Sequence, residues 1–377
     1  MTTPGTENTL KTPFHGLHVV HSAKMVPFAG YELPIQYPEG ILREHEWVRT
    51  RCGVFDVSHM GQAYLKGTDA AANLSRLTPT SFMKTANDRC KYTVLLNEQG
   101  GIIDDLIITR IDETTFGLVV NGARKAVDLP WIEKNLKGAA ALAYRGDHAP
   151  LIAVQGPYAV QVLKDTLLKN VNLDQHPYMT ATTYKILGEP CLVTRTGYTG
   201  EDGFELALMD DQEKVHAVWD MLTSHPDCRP IGLGARDSLR LEMGYPLYGH
   251  DLDETTSPVE AGISWVISKK NTGFIGEARI RKELDGALTR KRIGIQIIEK
   301  GIAREGAELY STDGKKIGIM TSGGYSPTTK QGIGMGYVNP SHADVGTTIL
   351  VDVRGRRLRA KVHPLAFVKP STAQQGA

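Results

Sequence analysis

The sequence predicts an α+β protein of several domains that ends in an all-β unit. Three observations carry this expectation. The chain has 377 residues, too long for one ordinary hydrophobic core, so two or three domains are expected. Up to Lys269, segments with helical apolar spacing alternate with short apolar strands. Beyond Lys269 the pattern changes to short strands with turn signals between them, as in a β-barrel or sandwich.

Residues 1–12 are polar and are expected to be mobile. From Gly40 to Cys52 the run GILREHEWVRTRC places Ile41, Leu42, His45 and Val48 near one helical face. GQAYLKG reads as a short strand, and Thr68-Asp69 as a capping pair for a helix that stops at Pro79. Residues 91–121 read as a meander: KYTVLLN, then DDLIITRI, then FGLVVN, with NEQGG and DETT as turns. A helix follows from Ala123 to Leu136. LIAVQG and PCLVTRTG are further strands, with the helix YAVQVLKDTLL after the first. TGYTGEDGFEL is a Gly-rich turn leading into a strand, and IGLGARDSLRLEMG a helix closed by Gly244. After GEARIRKEL, one more helix, come the strands RIGIQII, KIGIM, GIGMGYV, TILVDV and RLRAKV. Alternation in the last of these suits a half-buried antiparallel strand.

Composition narrows the class. Hydrophobic residues make up 41% and charged residues 23%, as in a folded globular protein. With 43 basic and 42 acidic side chains the net charge is +1, which gives no reason to expect a nucleic-acid partner. The four cysteines, Cys52, Cys90, Cys191 and Cys228, form no CxxC pair; so sparse a set points to a reducing compartment rather than a zinc or redox site. No apolar run approaches the roughly 18 residues of a membrane helix, and the first residues lack the apolar stretch of a secretory signal. A cytoplasmic protein without a membrane partner is expected.

Several clusters bear on chemistry. Asp104 and Asp105 follow a Gly-Gly turn and precede the apolar run Leu106 to Ile108. In a strand one of the two points inward, where a carboxylate needs a partner or a use; in a turn both cap backbone groups. Asn121 at the end of FGLVVN poses the same question, and Tyr92 stacks on a flat ligand or fills a core. TGYTGEDGFE at 196–205 packs three acids, a tyrosine and three glycines into ten residues. It lacks the Lys-Ser or Lys-Thr of a phosphate loop. An inward carboxylate there suits a ligand rich in N–H donors, and a hairpin with solvated acids is the plainer alternative. GLGARDSLRLE lacks the third glycine of a dinucleotide fingerprint. Its Arg236 and Arg240 share a helix face. One arginine holds a ligand, or both pair with surface acids. His15, His18 and His21 are spaced by three, but the segment carries Gly16 and follows Pro13, so no metal site is expected.

Six blocks in order resemble the glycine cleavage system T protein family: MVPFAGYELPIQYP at 25–38 with GILREH after it, FDVSHMGQ at 55–62, KYTVLLNEQGGIIDDLIITR at 91–110, TGYTGEDGFEL at 196–206, GLGARDSLRLEMGYPLYGHD at 232–251 and PVEAGISWV at 258–266. They span almost the whole chain. The resemblance implies a three-domain cloverleaf around a central folate channel, with a C-terminal antiparallel β-barrel. The expected division is 1–52 with 137–225, then 53–136 with 226–272 carrying the folate site, then 273–377. It implies an aminomethyltransferase that takes tetrahydrofolate as substrate and no metal. The methylene carbon of an aminomethyl group on the dihydrolipoyl arm of a partner, the H protein, passes to tetrahydrofolate. The products are 5,10-methylenetetrahydrofolate, ammonia and the reduced H protein.

The resemblance also implies roles. Asp105 corresponds to the family's essential aspartate beside the reacting folate nitrogens; whether it passes a proton or acts by charge and position alone stays open. Asn121 lies near the same site, and Glu205 and Arg236 bind the folate. Met60, Tyr92, Val119, Tyr198 and Trp265 line the channel against its rings. The tail AFVKPSTAQQGA lacks the tyrosine of some members, so no C-terminal contact is carried over. Two other readings share these features: a tetrahydrofolate-dependent demethylase of the same fold, which needs no H protein, and a non-catalytic folate-binding factor.

Overall fold

The structure is a computed structural model and describes residues 9–374. The expected mobility of residues 1–12 falls partly on residues 1–8, which lie outside the described residues. Beyond them the expectation is corrected. Leu10–Lys11 pair in parallel with Tyr31–Gln36, and buried Thr12 donates to Asp56 at 2.6 Å.

The sheets interleave along the chain. A three-stranded sheet joins Leu10–Lys11, Tyr31–Gln36 and Lys24–Phe28. A six-stranded sheet runs in the order Ala181–Ile186, Glu189–Thr194, Gly203–Ala207, Leu151–Gln155, Cys52–Asp56 and Cys228–Pro230. Between its strands Cys52–Asp56 and Leu151–Gln155 the chain leaves to build a five-stranded sheet. That sheet's order is Cys90–Leu96, Ile102–Arg110, Thr115–Val120, Gly61–Lys66 and Ala141–Tyr144. The last strands close a six-stranded antiparallel barrel, because Lys291–Ile297 pairs with both Gln331–Val338 and Arg356–His363. The barrel follows from alternation. In Arg356–His363, Leu358, Ala360 and Val362 are buried while Arg357, Arg359 and Lys361 face solvent. Each of these larger sheets carries its own apolar core, one around Trp219 and Phe204, one around Phe82 and Phe116, one inside the barrel.

Helices set the remaining frame. Ile41–Thr50 forms as expected, burying His45 and Val48, although Leu42 stays 54% exposed. Ala70–Leu77 begins at Asp69, but the Asp69 carboxylate accepts from the Ala139 amide at 2.7 Å rather than capping its own helix. Leu233–Glu242 packs so closely that a Cβ on Gly232 would meet the Ile35 carbonyl oxygen at 2.5 Å. At its end, buried Glu242 accepts from Arg49 at 2.8 Å and meets His45 Nε2 at 3.2 Å. Glu242 also takes the Thr328 amide of the barrel at 3.0 Å. Burial raises its pKa, but bonds from His45 and Ser326 and the charges of His45 and Arg49 outweigh that and hold it at about 2. One ionised side chain thus ties two helices to the barrel.

Candidate active site

The acidic pair lies on Ile102–Arg110, paired on both edges by Cys90–Leu96 and Thr115–Val120. Leu95 pairs with Asp104 and Leu96 with Ile102, so Ile103 is an extra, bulged residue. Beyond the bulge, alternation sends Leu106 and Ile108 into the apolar core, and Asp105 and Ile107 line a large cavity. The strand alternative for the acids is therefore the one that forms. Asp104 is wholly buried, and Asp105 is accessible only in part.

The cavity, about 1550 Å³, opens between the two α+β sheets and the barrel. All nine residues singled out in the sequence reach it: Met60, Tyr92, Asp105, Val119, Asn121, Tyr198, Glu205, Arg236 and Trp265. Asn121 Nδ2 donates to Asp105 Oδ1 at 2.9 Å and to Asp104 Oδ1 at 2.9 Å. The Tyr92 hydroxyl donates to the other Asp105 oxygen at 3.0 Å. Two neutral donors thus fix the carboxylate without neutralising it. Burial, and then the charge of Asp104, pushes Asp105 up to about 7 against those two hydrogen bonds. It therefore changes charge near neutral pH.

Flat walls flank this carboxylate. Tyr92 and Trp265 lie 5.5 Å apart at 30°, and Tyr198 stacks on Tyr245 at 5.7 Å. Trp265 is 69% exposed, so it stands at the rim rather than in the depths. The two arginines of one helix face differ in role. Arg240 is committed: it pairs with Asp251 at 3.0 Å and Asp237 at 2.8 Å and donates to Ser322 at 3.0 Å. Arg236 makes no side-chain hydrogen bond to the described residues and lies over the Tyr198 ring at 4.8 Å. Burial lowers its pKa, yet a guanidinium stays charged. It leaves an unpaired cation on the cavity wall.

The acids at 196–205 divide likewise, and the plain hairpin with solvated acids does not form. Glu201 pairs with Arg49 at 2.8 Å, and Asp202 takes both arms of Arg195 at 2.9 and 2.7 Å. Only Glu205 turns to the cavity, where one oxygen accepts from Thr196 at 2.8 Å and the other has no partner among the described residues. Gly200 is required in this turn: its φ is +79°, and a Cβ would meet Met243 Sδ at 2.3 Å.

Sequence reasoning missed His59. It lines the cavity within the FDVSHMGQ block, and its Nδ1 is buried without a partner among the described residues. Burial and the charges of Arg236 and Lys125 lower its pKa to about 3, so the imidazole is neutral. Tyr178, Tyr245 and the barrel's Leu365 and Ala366 also reach the cavity. The segment after the last barrel strand therefore lines the site, although its sequence AFVKPSTAQQGA carries no tyrosine. Among the described residues no cluster of three or more His, Cys, Asp or Glu side chains is placed to hold a metal, and no helix is long and apolar enough to cross a membrane.

Residues 14–271 match the family model for the GCVT N-terminal domain, and residues 290–369 that for the glycine cleavage T-protein C-terminal barrel domain. The chain is 42% identical over 363 residues to the aminomethyltransferase of Bacteroides thetaiotaomicron, covering 95% of this chain and 99% of that one. It is 40% identical over 374 residues to the probable mitochondrial aminomethyltransferase of Schizosaccharomyces pombe, covering 97% and 95%. The fold is similar to the crystal structure of the glycine cleavage system aminomethyltransferase T from Bartonella henselae, with a TM-score of 0.90 and 34% identity, covering 96% and 99%.

Proposed function

Because the chain belongs to the glycine cleavage T-protein family, we propose that its cavity takes tetrahydrofolate and that Asp105 guides a one-carbon unit onto it. The enzyme is a tetrahydrofolate-dependent aminomethyltransferase. The methylene carbon of an aminomethyl thioether on the partner's dihydrolipoyl arm is attacked by a folate nitrogen. The C–S bond breaks, ammonia leaves, and the methylene ends bridged between the two folate nitrogens. Of the two N–H protons lost from folate, one goes to the ammonia and one to the sulfur.

Each residue's part follows from its chemistry. The free oxygen of Glu205 is an acceptor for the pterin's amino and ring N–H groups. Arg236, unpaired on the wall, donates to the polar edge of the folate. Tyr92, Tyr198 and Trp265 with Met60 and Val119 supply flat and apolar surface for the rings. Asp105, ionised above about 7, stabilises the iminium-like charge that develops on the carbon. A carboxylate in a cavity sheltered from bulk water does this far better than one in solution. Asn121 and Tyr92 keep its two oxygens aimed. Lipoylated H protein is the donor we infer, and the cytoplasm the compartment, in keeping with four free cysteines.

We also propose a three-unit division close to that expected from the sequence, with edges drawn by the sheets. Cys52–Asp56 and Cys228–Pro230 go with the first unit, and Ala141–Tyr144 with the second. The observation that supports the whole reading most is the convergence of Asp105, Glu205 and Arg236 on one cavity from three separate elements. The test is turnover of aminomethylated H protein with tetrahydrofolate. Transfer from that donor is expected; transfer only from free methylated metabolites would favour a demethylase instead.

A further inference from the structure

A third carboxylate stands behind the acidic pair. Asp128 projects from the helix Lys125–Lys134, whose Ile132 shares a core with Leu106 and Ile108 on the face of the sheet opposite Asp105. It is wholly buried, and neither of its oxygens meets a donor among the described residues. A bare carboxylate in that setting is costly even after relaxation.

The neighbouring groups dictate where a proton sits. Arg124 is close but committed, donating to the Ile103 carbonyl at 3.0 Å and pairing with Glu254 at 2.6 Å. Tyr248 gives its hydroxyl proton to the Ile102 carbonyl at 3.0 Å. The remaining partner is Asp104, within hydrogen-bond reach of Asp128. Asp104 already accepts two N–H groups of Asn121, from the amide backbone at 3.0 Å and from Nδ2 at 2.9 Å. Both favour its ionised form and oppose the burial that raises its pKa, whereas Asp128 has no such N–H donor among the described residues. Two carboxyls bond to each other only through one shared proton, so that proton belongs to Asp128. Burial and the charge of Asp104 agree, raising Asp128 to about 10.

We propose that Asp128 is a positioning residue for Asp105, a protonated acid that donates to Asp104 and so keeps Asp104 ionised and locked to Asn121. Asn121 carries the arrangement forward, since the same Nδ2 holds Asp105 Oδ1 at 2.9 Å. The charge on Asp104 then adds to burial in raising the pH at which Asp105 ionises. The other groups facing Asp105 are Tyr92, which donates to it, and Tyr198, a neutral phenol. The inference rests on the proposed role of Asp105, and it adds a residue on the far side of the sheet that touches no ligand.

Two measurements decide it. The first needs no turnover: infrared difference spectra of the enzyme against Asp128→Asn, at a pH between about 7 and about 10. A protonated-carboxyl stretch is expected in the wild type and missing in the variant; no such band in the wild type overturns the inference. The second is the pH dependence of turnover. Asp128→Asn still donates an N–H to Asp104, so the acidic limb stays in place. Asp128→Leu removes the donor, Asp104 takes up a proton, and the limb moves down by about one unit as the like charge disappears. A limb that moves equally in both variants, or in neither, overturns it. If Asp128→Leu does not fold, the infrared band alone decides. A band present with no acidic limb near 7 sinks the Asp105 role and the positioning role with it, whereas an absent band sinks Asp128 alone.

Discussion

Replacing Asp105 with Asn should cost activity and add stability, with a pH signature that identifies the cause. The amide fits: its oxygen accepts from Asn121 and its NH2 group donates to the Tyr92 oxygen, so the neutral side chain keeps both contacts of the acid. Only the charge is lost. Removing one preorganised electrostatic group costs about 10²–10³ in turnover, while the contacts we assign to folate, Glu205 and Arg236, are untouched. In stability the sign reverses. The folded pKa of Asp105 is raised from 3.8 to about 7. The protonated acid is therefore the form the fold favours, and stability falls as pH rises from about 4 to about 7. At about 1.4 kcal/mol per unit the full penalty is about 4.5 kcal/mol. Sharing with Asp104 and contact with cavity water bring it to about 2 kcal/mol, or about 2–3 °C in Tm for a chain of this length. Thermal melts of both proteins from about pH 4 to pH 8 read this directly. The variant should match the wild type near pH 4 and exceed it above pH 7. A variant with wild-type turnover, or a Tm gap independent of pH, would refute the argument.

Other consequences follow from the same geometry. Turnover of the wild type should fall as pH drops through about 7, where Asp105 takes up its proton; a flat profile from pH 8 to 6 would remove the carboxylate from the reaction. Glu205→Ala should weaken tetrahydrofolate binding by about tenfold or more, the loss of a charged acceptor being worth about 1.5–3 kcal/mol; an unchanged calorimetric Kd would misplace the pterin. Arg236→Ala should weaken folate with little change in Tm. Arg240→Ala should destabilise by about 3–5 kcal/mol because Asp251 is left buried without its cation. Equal Tm losses in the two variants would erase the distinction between them.

Much of this architecture was legible because short-range rules decide it. The meander around Asp105, the barrel strands and the helix Leu233–Glu242 announce themselves by period and by glycine. The hairpin at 24–36 does not: Pro27 and Pro34 sit inside its strands and suppress the usual signal. The helix Gln212–Thr223 carried a signal that was passed over, with Asp211 accepting from two amides and Val215, Val218, Trp219 and Leu222 buried at helical spacing. For the site, the ordered blocks led to Asp105, Glu205 and Arg236, but spacing could not separate Arg236 from Arg240. That difference lies in Asp251 and Ser322, the latter 82 residues beyond Arg240. Asp128 reads in sequence as an ordinary helix acid. Only the packing of its helix on the sheet removes it from water and sets it against Asp104.

The most direct test of the central claim is a crystal structure of the enzyme with a reduced folate bound. The account predicts the pterin between the aromatic walls, its N–H groups on Glu205, and Asp105 within hydrogen-bond reach of the bridging nitrogens. A folate seated elsewhere, or one in the cavity with its reactive nitrogens turned away from Asp105, would contradict it.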